Sequence, residues 1–151
     1  MSADRCSIRV KVMLIAPNDD LTAHAVTLNA PTTENPHGYH RLVGGGVEFG
    51  ESHHDAVLRE VDEELGATVQ NPAFLASVEN IFRIDGVTAH EIVFVYSGRL
   101  DPQPAARNAV LTESDGSVVP VVWRSFDDTR EPLPLYPTAV MPWIRSLAER
   151  R

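Results

Sequence analysis

The chain has 151 residues, the size of one compact domain, with 43% hydrophobic and 23% charged residues. That composition excludes collagen-like, coiled-coil and wholly disordered chains. Thirteen basic residues against 21 acidic ones leave a formal charge of −8, which argues against a general nucleic-acid or anionic-membrane binder.

Ile8 to Ile15 (IRVKVMLI) is apolar with Arg9 and Lys11 alternating, the pattern of a strand with one buried face. No apolar run near the start is long enough for a signal-peptide core or a membrane span. Cys6 is the only cysteine, so no intrachain disulfide or four-cysteine zinc site can form, and a reducing, cytoplasmic location is expected. Lys11 is the only lysine. Without a Gly-Lys-Ser/Thr sequence there is no P-loop, so phosphate binding falls to arginine, backbone amides or a metal. A second strand is expected at Ala23 to Leu28, after the turn-prone Pro17-Asn18-Asp19-Asp20. Pro31 to Gly38 is a loop. Tyr39 to Val43 resumes as a strand and meets Gly44, Gly45 and Gly46.

From Ser52 to Leu65 the periodicity becomes helical. Ser52 and Asp55 have capping-box spacing, Ala56, Val57, Val61 and Leu65 form an apolar stripe, and Gly66 stands at the expected left-handed cap. His53 and His54 in the first turn are expected to face solvent. Strands follow at Ala73 to Ile84 and Glu91 to Ser97, around an Asp85-Gly86 hairpin turn. Ser117 to Trp123 is again β-rich after Asp115-Gly116. Thr138 to Arg150 is expected to be helical, with Pro142 in its first turn. The strands and two helices do not alternate strictly, which predicts a mixed sheet carrying helices, in one domain over residues 1–151.

The chemistry concentrates in Gly45 to Ala67, GGVEFGESHHDAVLREVDEELGA. Glu60, Glu63 and Glu64 stand at i, i+3 and i+4 and share one helical face. Three like charges destabilise a helix unless something offsets them, and hard divalent cations prefer carboxylate oxygens. Arg59, four residues before Glu63, can orient that carboxylate, and Glu51 can pair with the same arginine across a folded loop. The glycines let the backbone approach a ligand and turn a carbonyl toward it.

The segment fits Gly-x5-Glu-x7-Arg-Glu-U-x-Glu-Glu-x-Gly-U, where U is aliphatic. Seven fixed identities coincide by chance about once in 10⁸–10⁹ windows at average residue usage. This is the Nudix box, and the chain resembles a Nudix hydrolase of the MutT-like kind. Gly45, Glu51, Arg59, Glu60, Glu63, Glu64 and Gly66 fill every fixed place; Ala67 is smaller than the usual final aliphatic. The resemblance implies an α/β (α+β) fold, an α/β/α sandwich with a mixed sheet between helices. It also implies hydrolysis of a nucleoside diphosphate linked to another moiety, with Mg²⁺ or Mn²⁺ held by Glu60, Glu64 and Glu63 and by the carbonyl of Gly45 or Gly46. Glu60 or Glu63 is expected to be the general base, with Arg59 beside it; Glu51 and Gly66 are expected to be structural.

Relatives specific for ADP-ribose often carry a proline a short way after the box, and those acting on diadenosine polyphosphates a tyrosine. Phe82 and Ile84 occupy those places here, which leaves nucleoside triphosphates or nucleotide sugars as the expected small substrates. A Nudix-fold module that binds a nucleotide without turnover is the second reading, yet no box glutamate is lost. RNA decapping is disfavoured by the lack of a basic tract. A homodimer is compatible with the sequence.

Outside the box, Glu79 and Glu91 interrupt apolar strands; each is an extra metal ligand, the base, or an edge charge. Asn80 and His90 beside them are substrate contacts or structural hydrogen-bonders. Tyr39, Phe49 and Phe82 are candidates to stack on a base, and Arg9, Arg41 and Arg83 candidates to reach phosphate. Between Gly45 and Ala67, seven acidic residues face Arg59 alone, so six of the eight excess negative charges lie in 23 residues.

Overall fold

In the computed structural model, residues 7–150 are described; Cys6 lies outside them. Eight strands form one mixed sheet: β1 Ile8–Ile15, β2 Ala23–Asn29, β3 Tyr39–Gly46, β4 Thr68–Ile84, β5 Val87–Asp101, β6 Val110–Thr112, β7 Val118–Ser125 and β8 Leu135–Tyr136. Helix α1 spans His53–Leu65 and α2 Met141–Ala148, the latter preceded by a 3₁₀ turn at Thr138–Val140. Strand order is β4-β5-β1-β3-β2-β7-β6, with β8 beside β3. The β1–β5 and β3–β8 pairs are parallel and the others antiparallel.

Alternation along the central strands splits the core in two. Val12, Leu14 and Val43 pack against Ala56, Val57 and Val61 of α1. Met13, Ile15 and Leu42 pack with Val93, Val95 and the α2 residues Ile144 and Leu147. A helix therefore covers each face of the sheet, the expected α/β/α sandwich.

The elements follow their local signals. Ser52 Oγ accepts from the Asp55 N–H at 3.1 Å, and Gly66 (φ 61°) donates its N–H to the Asp62 carbonyl. Asp85 and Gly86 both have positive φ (49° and 80°), as a type I′ hairpin turn requires. Pro142 sits in the first turn of α2, where no intrahelical N–H is lost.

Three expectations need correction. Strand β1 does not bury one face: Ile8, Arg9 and Val10 are exposed, while Val12, Met13, Leu14 and Ile15 are all buried, alternately in the core under α1 and in the core under α2. The β4–β5 hairpin is far longer than predicted, 17 and 15 residues. Register shifts between Gln70 and Ala73 and between Phe74 and Ala76 break the alternation that marks a strand, so its first half is hidden in the pattern. Strands β6 and β8, with three and two residues, are too short to carry any period. His53 does not face solvent: it stacks on Phe94 with ring centroids 4.3 Å apart, and its Nδ1 lies 2.6 Å from Tyr96 Oη.

Candidate active site

Helix α1 presents its acidic face to the end of β3, and Arg59 organises the space between them. Its Nε and Nη2 grip both Glu51 oxygens at 2.7 and 2.9 Å. Nη2 also donates to the Gly46 carbonyl at 2.9 Å, while Nη1 reaches Glu60 at 3.0 Å and Glu63 at 3.1 Å. Bonding to Arg59 holds the Glu51 carboxyl below its ordinary range, and Glu51 in turn raises the arginine's already high pKa.

Gly45 faces the Glu60 carboxylate so closely that a Cβ built there would overlap it. Glu60 and Glu64 line a cleft together with Gly44, Gly45 and Gly46, Lys11 and Thr27, and Arg41. Glu63 does not line it; its side chain is 57% exposed against 12% for Glu60. Burial, then the charges of Glu60 and Glu113, push the Glu64 carboxyl up to about 8. Lys11 is displaced the opposite way, downward, chiefly by burial and then by Arg41.

The donors suit a hard divalent cation. They are all oxygens, they share one face, and Glu64 sits where an added positive charge would relieve both the burial and the repulsion that keep it protonated. Among the described residues no three carboxylate, imidazole or thiol groups converge as a preformed cage. Arg59 draws Glu60 and Glu63 toward itself instead.

A family model for the NUDIX domain matches residues 9–144. The chain belongs to the Nudix family. With every fixed position of its box intact, it is a Nudix pyrophosphohydrolase, and Nudix hydrolases generally use divalent metals. Solved structures share the fold across nearly the whole chain. A MutT Nudix hydrolase from Burkholderia pseudomallei is 24% identical, covers 95% of this chain and 97% of its own, and superposes with TM-score 0.62. A MutT structure from work on the Aliivibrio salmonicida and Vibrio cholerae proteins is 21% identical over 96% of this chain and all of that one, with TM-score 0.60. An ADP compounds hydrolase is 17% identical over 95% and 72% of the two chains, with TM-score 0.62.

Of the other sequence candidates, Arg41 lines the cleft and the rest do not. Glu79 is on the surface, 3.0 Å from His90 Nε2. Glu91 is buried behind the cleft-lining Arg41 and accepts from Arg41 Nη2 and Asn80 Nδ2. Phe49 is fully exposed on the loop entering α1. Phe82, Arg83 and Tyr39 line a smaller pocket with Asn35, Asn80 and Tyr136. Arg9 is exposed on β1.

Several cleft residues escaped the sequence reading as site residues. Lys11 and Thr27 are interior to ordinary strands, Asn29 ends β2, and Leu111, Glu113 and Ser114 come from β6 and its turn. For Glu113, the one available signal is an acid beside the Asp115-Gly116 turn. No helix among the described residues is long and apolar enough to cross a membrane.

Proposed function

We propose that this Nudix hydrolase cleaves the phosphoric anhydride of a nucleoside diphosphate linked to another moiety, a nucleoside triphosphate or a nucleotide sugar, with Mg²⁺ or Mn²⁺. The observation that carries this reading is the cleft itself: Glu60 and Glu64 of the box face Lys11 and Arg41 across one opening. Carboxylates on one wall suit a cation, and an ammonium and a guanidinium on the other suit phosphate oxygens.

Glu60 and Glu64, joined by Glu63 and by a Gly45 or Gly46 carbonyl, would hold the cation. Bound there, it supplies the positive charge that anhydride cleavage needs. Of the two candidate bases, Glu60 is the one facing the cleft, and Arg59 Nη1 fixes its orientation. In this reading Glu60 would take the proton of the attacking water. Glu51 acts through Arg59, and Gly66 ends the helix that carries all three glutamates.

Purified protein incubated with Mg²⁺ or Mn²⁺ and a panel of nucleoside triphosphates and nucleotide sugars tests this. Formation of a nucleoside mono- or diphosphate with pyrophosphate or phosphate from a triphosphate, or of a nucleoside monophosphate with a sugar phosphate from a nucleotide sugar, that disappears in Glu60→Gln is the expected result. Tight nucleotide binding with no product from any substrate would instead make the protein a binding module.

A further inference from the structure

Strand β4 ends the sheet, so one of its long edges pairs with no other strand among the described residues. Its two halves differ. The first is protected as exposed edges usually are, by Pro72 and by the two register shifts before Ala76. From Ala76 to Ile84 there is neither proline nor shift, and the strand pairs residue for residue with β5 from Val95 to Val87. A regular stretch of that length spans about 30 Å. Among the described residues, no segment other than β5 hydrogen-bonds to its backbone. The Thr33–Glu34 loop bonds the hairpin only at its turn, to Asp85 and Gly86, past the end of the stretch.

Alternation puts Ser77, Glu79, Ile81 and Arg83 on one face of this edge and Val78, Asn80 and Phe82 on the other. The second face is in use: Val78 belongs to the core under α2, and Asn80 bonds Glu91. The first face is open, with Ile81 60% exposed. β5 and β1 continue the same open surface, since His90 lies between Ile81 and Ile8, and Ile92 beside Val10. Helix α1 covers this face only as far as Val12 and Phe94, where His53 stacks.

Two charges of opposite sign stand at equal distance from Ile81, Glu79 two residues before it and Arg83 two after, both exposed. In an antiparallel pair centred on Ile81, that residue meets the partner's Ile81, Glu79 meets the partner's Arg83, and Arg83 meets the partner's Glu79. Residues of like parity face each other, so outward backbone groups meet outward groups and each side chain keeps to its face. Within the chain the two charges have only rim contacts: Glu79 Oε2 lies 3.0 Å from His90 Nε2, and Arg83 Nη2 donates to the Gly86 carbonyl at 2.7 Å.

We propose that the Ala76–Ile84 edge of β4 is a homodimer interface, in which two copies of the chain pair antiparallel about Ile81 and join their sheets. The occupant is a second copy because the edge is complementary to itself. A half-turn about Ile81 brings acid onto base and aliphatic onto aliphatic, as a two-fold interface requires. The stretch lines no part of the acidic cleft, so the interface goes beyond the proposed reaction and does not depend on it.

Sedimentation velocity from about 1 to about 200 µM should show the wild-type chain passing from monomer to dimer, because a short edge-to-edge contact belongs to the weak class of interfaces. Glu79→Arg and Arg83→Glu each set like charges opposite one another at both ends of the pair. Each should weaken the dimer about tenfold or more. Combining the two reversals restores opposite charges across the interface, but not the contacts to His90 and Gly86. The double variant should therefore dimerise to within about threefold of wild type. Ile81→Lys should leave a monomer, with circular dichroism reporting that it folds; if it does not fold, the charge variants decide. A wild-type chain that stays monomeric throughout overturns the proposal, and the two charges then only guard a bare edge. A dimer that neither single reversal weakens, or a loss that the double reversal does not rescue, overturns it equally.

Discussion

The Glu60 carboxylate occupies the space where a side chain on Gly45 would have to go. That contact sets where the carboxylate sits in the cleft. Gly45→Ala should displace Glu60 while leaving α1 helical. Misplacing a reacting group by about an ångström costs on the order of 10²-fold in rate. Kinetics beside far-UV circular dichroism check this: full activity in a folded Gly45→Ala protein would mean that Glu60 need not lie there.

Arg59→Lys keeps one positive charge and loses the fork that spans Glu51, Gly46, Glu60 and Glu63. Urea denaturation should show a loss of about 2 kcal/mol, the scale of a charge-assisted hydrogen bond in a partly buried site. Activity should fall with it, because Glu60 loses its orienting partner. An unchanged unfolding midpoint would show that the fork does not hold the loop.

Ser52→Ala separates helix stability from chemistry. The Ser52 hydroxyl caps the Asp55 N–H and lines no part of the cleft. Stability should fall by about 1 kcal/mol, with kcat/KM unchanged for the folded fraction.

Glu64 makes stability depend on pH in a direction opposite to most carboxylates. Its folded pKa, about 8, lies above its ordinary value of 4.5. The folded protein therefore keeps a proton that the unfolded chain releases. The stabilising difference is complete below about pH 4.5 and is lost as pH rises through 8. Without divalent cations, the melting temperature should fall between pH 5 and 8.5 by more than in Glu64→Gln. Added Mg²⁺ should raise it more at the alkaline end. Parallel curves for the two proteins would show that Glu64 is not perturbed.

His24 has the reverse sign. It is buried opposite Arg124 on the neighbouring strand, and neither ring nitrogen has a hydrogen-bond partner among the described residues. Burial, then the charges of Arg124 and His40, push its pKa down to about 3. The unfolded histidine takes up a proton near 6.5 while the folded one does not, so stability present above that pH is lost as pH falls toward 3. His24→Phe should flatten the acid limb of a stability–pH profile, with the ring contact to Phe126 retained. An unaltered acid limb would place the loss elsewhere.

Short-range signals in the chain correspond closely to the fold. β1 runs from Ile8 to Ile15 as its alternation indicates, α1 begins after Ser52 and ends at Gly66, and the Asp85-Gly86 turn is where the hairpin reverses. The glutamates of α1 were equally plain, because helical spacing alone puts them on one face. The other cleft wall was not. Lys11 and Arg41 lie thirty residues apart on strands whose alternation says only that one face is buried. Their meeting depends on the antiparallel pairing of β1 with β3, which no local pattern encodes. Glu91 shows the same limit from the opposite side: as a charge in an apolar strand it is conspicuous, yet only the register with Asn80 and the reach of Arg41 reveal its task.

The Arg59 guanidinium also accounts for why the loop before α1 has the length it has. One rigid planar group bonds a strand carbonyl at Gly46, a loop carboxylate at Glu51 and two helix carboxylates. The Glu48–Glu51 turn closes on itself within that span, Glu48 N–H donating to Glu51 Oε1. An added or deleted residue between Gly46 and Glu51 would carry the Glu51 carboxylate out of the fork's reach and free the strand from the helix. The fixed spacing by which this family is recognised is thus a ruler, and its length is set by the span of a single arginine side chain.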